Sequence, residues 1–237
     1  MKTLNIETFV RQAKDTTNIK SVLKDLFDMN IKKVKVLMHL VRHAQDEPVK
    51  VRPLRRTEGW NDSQTTQILT QLQKQGWISK HRNKEDERQI IITANQEQHQ
   101  QITALLNKMN TYIETHTYAE QTFSYGIHEA LAQFIREMDT LSTIEHYAKQ
   151  HTYTLDEVVI LAMLLLDDGG QLTVKKLKVD LESNTVKINK LVKRLVAKGL
   201  ISKARDVQDE RVVVLTLNKD KREAIEQMIT QLLAYVS

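Results

Sequence analysis

Gly76-Trp77-Ile78-Ser79-Lys80-His81-Arg82-Asn83-Lys84-Glu85-Asp86-Glu87-Arg88 recurs 123 positions later as Gly199-Leu200-Ile201-Ser202-Lys203-Ala204-Arg205-Asp206-Val207-Gln208-Asp209-Glu210-Arg211. Each glycine follows a polar-started amphipathic stretch, Ser63 to Gln75 or Val186 to Lys198, and stands where a helix C-terminus calls for positive φ. A strand (Trp77 to Lys80; Leu200 to Lys203), a charged tip and a second strand (Gln89 to Thr93; Val212 to Leu217) follow. Helix, glycine stop and long-tipped hairpin therefore occur twice with the same spacing.

The repetition extends beyond the hairpin. At the same offset Val51 and Leu54 fall on Val174 and Leu177, Asn61 on Asn184, Leu72 on Leu195, and Asn95 on Asn218. Further upstream the offset becomes 124, with Asn30 to Leu37 over Thr154 to Leu161, so one loop differs by one residue. Solenoid units run to roughly 20 to 50 residues, and this period is long enough for each copy to bury its own core. Two tandem domains are expected, residues 1–120 and 121–237.

Each copy opens with a long helical pattern, Ile6 to Met29 or Ile127 to Lys149, with apolar residues recurring at three and four. A second helix follows Asn30 or Thr154, the latter forming a capping box with Glu157. After an acidic turn, Asp46-Glu47-Pro48 or Asp167-Asp168-Gly169-Gly170, come a short extended segment and a short helix, with Pro53 suited to a first helical position. A last amphipathic helix carries Ile102, Leu105, Leu106 and Met109, or Ile225, Met228, Ile229, Leu232 and Leu233. The order is helix, helix, strand, helix, helix, hairpin, helix. The fold class is mainly α with small β-hairpins (α+β): two tandem winged helix-turn-helix domains forming a pseudo-dimer.

Composition agrees: 41% hydrophobic, 27% charged, with 2 Pro and 6 Gly, describes a mainly helical globular chain. The longest apolar run, Val158 to Leu166, is far short of the roughly 20 residues of a membrane span, and Met1 to Glu7 lacks a signal-peptide core. A cytoplasmic protein without a membrane partner is expected. The absence of Cys excludes disulfides, thiolate metal sites and thiol redox switches. Net charge is +5, and its placement matters more than its size. Val174 to Arg205 holds ten Lys/Arg against Asp180 and Glu182, and Lys50 to Arg82 holds seven against Glu58 and Asp62. Both copies concentrate cations in the same window, as a polyanion-binding surface requires.

At these residues the chain resembles the SarA family of staphylococcal-type regulators, a branch of the MarR-like winged-helix transcription factors. The matching motif is the wing, Ser79-Lys80-His81-Arg82 through Asp86-Glu87-Arg88 and Ser202-Lys203-Ala204-Arg205 through Asp209-Glu210-Arg211. The resemblance covers nearly the whole chain. It implies a transcriptional regulator whose recognition helices enter successive major grooves of double-stranded DNA while wing arginines reach the minor grooves. Short members act as homodimers, so the single chain resembles a covalent dimer; further self-association stays open. Oxidation sensing through a single Cys, used by some relatives, is out of reach here.

Candidate contacts follow from place and chemistry. Arg82, Arg88, Arg205 and Arg211 flank the wing tips, where guanidinium groups suit a narrow minor groove; Lys80, Lys84 and Lys203 add charge beside them. Asp86, Glu87, Asp209 and Glu210 are expected to orient the wings; the alternative for one arginine of each pair is a salt bridge to Asp86 or Asp209 in place of DNA. Ser63, Gln64, Thr65 and Gln67 begin the first recognition helix, and Asn184, Thr185, Lys187, Asn189 and Lys190 the second. Amides bond adenine edges, hydroxyls bond bases or phosphates, and lysines bond guanine or phosphate. A solvated polar face is the plainer reading of the same residues.

His39 and His43, at i and i+4, have metal-pair spacing but no evident third ligand, and the acidic turns suit solvated loops better than cation sites. No metal or cofactor is expected. Trp60 and Trp77 read as packing residues. No Gly-rich phosphate loop, HExxH motif or nucleophile elbow occurs, which argues against an enzyme. Three functions remain: a sequence-selective regulator of A·T-rich promoter DNA, a MarR-like regulator controlled by a small ligand, and a protein-interaction factor that has lost strong DNA binding.

Overall fold

The structure, a computed structural model, describes residues 4–43, 47–118 and 128–236. Asp46 of the first acidic turn, Ile127, and Met1 to Thr3 of the N-terminal stretch lie outside the described residues. The first half contains α1 (Ile6–Phe27), α2 (Ile31–Val41), β1 (Val49–Lys50), α3 (Val51–Thr57), α4 (Asp62–Lys74), β2 (Ser79–Arg82), β3 (Ile90–Thr93) and α5 (Gln96–Thr117). The second contains α6 (Glu129–Gln150), α7 (Leu155–Leu166), β4 (Gln171–Thr173), α8 (Val174–Asp180), α9 (Thr185–Ala197), β5 (Ile201–Arg205), β6 (Val213–Leu217) and α10 (Arg222–Ala234), the last entered through a 3₁₀ turn at Lys219–Lys221. The element order expected from the repeat is present in both halves, as tandem winged-helix folds of the α+β class.

The helix starts are written in local chemistry. Asn30 and Thr154 cap α2 and α7, Asn61 and Asn184 cap α4 and α9, each side chain accepting from the backbone three residues on. Thr154 and Glu157 complete the expected capping box, and Asn95 with Gln98 forms another at α5. Such caps stabilise a helix by about 1 kcal/mol each. Gly76 and Gly199 stop α4 and α9 at φ 80° and 67°. Pro53 sits third in α3, not first, a position still within the turn whose N–H groups lack helical partners.

Each hairpin is the larger part of a three-stranded antiparallel sheet, ordered β1-β3-β2 and β4-β6-β5. Ser79 pairs Thr93 and Arg82 pairs Ile90 in one; Ile201 pairs Leu217 and Arg205 pairs Val213 in the other. The third strand of each is the short extended segment before α3 or α8.

The chain divides into two compact units, residues 20–133 and residues 1–19 with 134–237. The expected boundary at 120/121 falls outside the described residues, and the units are drawn through α1 and α6. In the unit containing residues 134–237, Phe9, Val10 and Ala13 of α1 join one core with Leu141, Ile144, α7 and Leu191, Leu195, Leu215 and Ile229. Lys14 of α1 also meets Asp180 at the end of α8, 3.0 Å away. In the unit of residues 20–133, Leu37, Leu69, Leu72, Ile92, Ile102, Leu106 and Ile113 are buried. There Asn107 bonds the His128 ring at 2.9 Å and Asn110 accepts from the Leu131 N–H at 3.0 Å, which caps the start of α6.

Candidate nucleic-acid interface

The second helix of each helix-turn-helix buries one stripe and presents another. Ile68, Leu69 and Leu72 anchor α4; Ile188, Leu191, Val192 and Leu195 anchor α9. Ser63, Thr66 and Gln67 are exposed on α4, and Val186, Asn189, Lys190 and Lys193 on α9. The latter four follow i, i+3, i+4, i+7, the spacing of a single helix face. Gln64, Thr185 and Lys187 are also exposed.

Three expected readers have other duties. Thr65 is 5% exposed, and its hydroxyl donates to the Asn61 carbonyl at 2.8 Å, so it packs inward where the second copy has Ile188. The Asn184 side-chain oxygen is occupied by the Lys187 N–H at 2.8 Å as the cap of α9. Lys187 itself forms an ion pair with Asp156 of α7 at 2.8 Å, which offsets part of its positive charge toward a polyanion. The same helix is tied further along its length. Arg194 lies 3.1 Å and Lys198 3.8 Å from Glu157, whose side chain is fully buried. Burial pushes the Lys198 ammonium below its ordinary range, against the opposing pull of Glu157, while its Nζ donates to the Thr152 carbonyl and covers the Tyr153 ring.

The two wings are built alike to the level of single bonds. Arg82 Nη1 donates to the Glu87 carbonyl at 2.8 Å, and Arg205 Nη1 to the Glu210 carbonyl at 2.7 Å. The first arginine of each pair thus braces the tip. Asp86 accepts from the Arg88 N–H at 3.1 Å and Asp209 from the Arg211 N–H at 3.0 Å, so these two acids shape the turn. Glu87 and Glu210 serve through their main-chain carbonyls rather than their carboxylates. Arg88 is exposed, and Arg211 is 92% exposed even with its Nε 3.1 Å from Asp209. Lys84 and Lys203 are exposed and Lys80 half-buried.

A chain with this duplicated geometry matches the profile of the transcriptional regulator SarA/Rot family over residues 18–105 and again over 142–228. The chain belongs to the SarA/Rot family. It is similar to the HTH-type transcriptional regulator SarU of Staphylococcus aureus strain NCTC 8325, with 22% identity over 210 residues covering 88% of this chain and 85% of SarU. A 77-residue segment is 36% identical to the organic hydroperoxide resistance transcriptional regulator of Bacillus subtilis strain 168, covering 30% of this chain and 52% of that protein. Among solved structures, AbsC, a MarR family transcriptional regulator from Streptomyces coelicolor, overlaps 49% of this chain and 79% of its own at 14% identity and a TM-score of 0.41. Membership of the SarA/Rot family makes the protein a transcriptional regulator of the SarA type.

This SarA/Rot chain also exposes candidates that the sequence reading passed over. Thr66, Val186 and Lys193 lie on the outward stripes, and counting threes and fours away from the buried leucines would have found them. Arg52 and Arg56 on α3, with Lys175 and Lys176 on α8, are exposed on the helix preceding each recognition helix. Arg55 is committed to an ion pair with Asp62 at the start of α4. A cleft of about 430 Å³ opens between α3, α4 and the first wing, lined by Arg52, Arg55, Thr65, Lys80, Arg88 and Ile90 among others. His39 and His43 face each other with ring centroids 5.0 Å apart, and His43 lies 3.4 Å from Glu47. No helix among the described residues is long and apolar enough to cross a membrane.

Proposed function

We propose that this regulator binds A·T-rich promoter DNA sequence-selectively, setting α4 and α9 into major grooves and the Arg88 and Arg211 wings into the flanking minor grooves. One observation carries the reading. Each unit presents an outward stripe on its recognition helix, Ser63-Thr66-Gln67 or Asn189-Lys190-Lys193, beside a wing whose second arginine is extended into solvent. Lysines there supply salt-dependent attraction to phosphate, amides supply base discrimination, and guanidinium groups suit the negative potential of a narrow A·T minor groove. With two such heads in one chain, a single chain takes the place that a homodimer fills in shorter relatives.

Titration of fluorescent A·T-rich and G·C-rich duplexes, followed by anisotropy and by light scattering of the complex, tests this. The expected result is tighter binding to the A·T-rich duplex with one chain per site. Equal affinities, or two chains for each bound site, would overturn the corresponding part.

A second reading, control of DNA binding by a small anionic ligand, is favoured by the cleft beside the first wing, whose lining carries Arg52, Arg55, Lys80 and Arg88 against Asp62 and Asp86. A thermal-shift screen of small carboxylates against wild type and Arg52→Ala separates it from ligand-independent binding.

A further inference from the structure

Seven large hydrophobic residues are exposed among the described residues, and four of them, Val179, Val186, Val196 and Val207, lie in the α8, α9 and wing segment of the second copy. At the matching places, 123 residues earlier, the first copy has Arg56, Ser63, Gln73 and Lys84. The second reading head has therefore exchanged polar surface for valine at four positions. Val186 is the one that stands on the outward stripe with Asn189, Lys190 and Lys193, and it is 79% exposed. Valine favours a helix about as much as serine and less than leucine or lysine, so neither propensity nor burial accounts for it there.

A valine on a recognition helix can bond neither phosphate nor the polar edges of bases. In the major groove its one apolar complement is the C5-methyl group of thymine. Asn189 lies three residues further on the same face, and its amide suits the N6 and N7 of adenine. Resting on the DNA-binding reading above, we propose that Val186 is a specificity-determining residue that reads a thymine methyl in the half-site bound by α9, a requirement the α4 half-site, with Ser63 in this place, does not share. The two half-sites of the operator are then unequal, and the chain binds in one orientation.

The test uses a duplex selected by the purified full chain from a random pool, in which each thymine is replaced singly by deoxyuridine, which lacks only the methyl. Wild type should lose affinity about fourfold at one or two thymines of a single half-site, the scale set by burying one methyl group. Val186→Ser should bind the unmodified duplex more weakly by the same factor and be indifferent to uracil at those positions, with unchanged circular dichroism. Ser63→Val should create a new uracil-sensitive position in the other half-site. A wild-type profile indifferent to uracil, or an unchanged profile in Val186→Ser, would overturn the proposal while leaving DNA binding intact. A flat profile joined to a change in sedimentation of Val186→Ser would assign the valine to a protein contact, and also overturn it. Failure to enrich any duplex would instead strike the DNA-binding reading itself and this proposal with it.

Discussion

The Glu157 carboxylate, closed off from solvent, lies 3.1 Å from the Arg194 guanidinium and joins the capping turn of α7 to the recognition helix α9. At the matching position the first copy has the opposite charge. Lys33 is buried there, and its Nζ donates to the Asp28 carbonyl at 3.2 Å and to Gln75 Oε1 at 3.1 Å. Gln75 itself occupies the place of Lys198. The same junction is an ion cluster in one copy and, in the other, a lysine whose ammonium donates to uncharged oxygens.

Removing the acid breaks the capping box and the ion pair with Arg194, but leaves behind cations that are partly exposed. Glu157→Ala is expected to destabilise its unit by about 2 to 4 kcal/mol. Lys33→Met keeps the stem's packing and gives up only two hydrogen bonds, so it should cost about 1 to 2 kcal/mol. Urea melts of the full chain check both, and equal losses would contradict the difference in bonding.

On the wings the paired arginines should separate. Arg88→Ala and Arg211→Ala should weaken DNA binding by about 1 to 3 kcal/mol with no change in melting temperature, because both side chains lie outside the core. Arg82→Ala and Arg205→Ala lose the bond to the tip carbonyl and should increase amide hydrogen exchange in the wing as well as weakening binding. Anisotropy with exchange measurements distinguishes the two classes.

Lys187 is paired with Asp156, whereas among the described residues no acid stands within ion-pair distance of Lys190 or Lys193. Lys190→Ala with Lys193→Ala should reduce the slope of log affinity against log salt by roughly 2. Lys187→Ala should change it less, and Asp156→Ala should steepen it. Gln64→Ala with Gln67→Ala should leave the slope alone and erode preference for the selected site over a scrambled one. A salt series on both duplexes gives all four results.

His128 is 7% exposed, and burial holds its imidazole below the usual value of 6.5; burial, then His43 and Arg42, does the same to His39. A depressed folded-state value means that the unfolded chain takes up the proton first as pH falls. The stability owed to the neutral rings is therefore complete above about pH 6.5 and declines below it, toward the folded-state values. Thermal melts across that window should show a falling melting temperature, and His128→Gln with His39→Gln should flatten the fall. An unchanged slope in the double mutant would place the titration elsewhere.

The duplication, the order of elements, the caps at Asn30 and Thr154, the glycine stops and the wing motif were all legible in the sequence, whereas Asn184 read as a DNA contact and proved to be a cap. Their physics is local: a cap reaches three residues, a glycine sets its own φ, and Asp86 or Asp209 shapes a turn two residues away. What only the tertiary structure decided is where separate elements meet. Thr65 reads as a polar groove residue until packing turns it inward, and Lys187 as a free cation until α7 brings Asp156 against it. Lys14 meets Asp180 across 166 positions, and Phe9 enters a core with residues beyond 134. No periodicity encodes such pairings, because they depend on loop closure and on the shape of the opposing helix, which the chain acquires only when it folds.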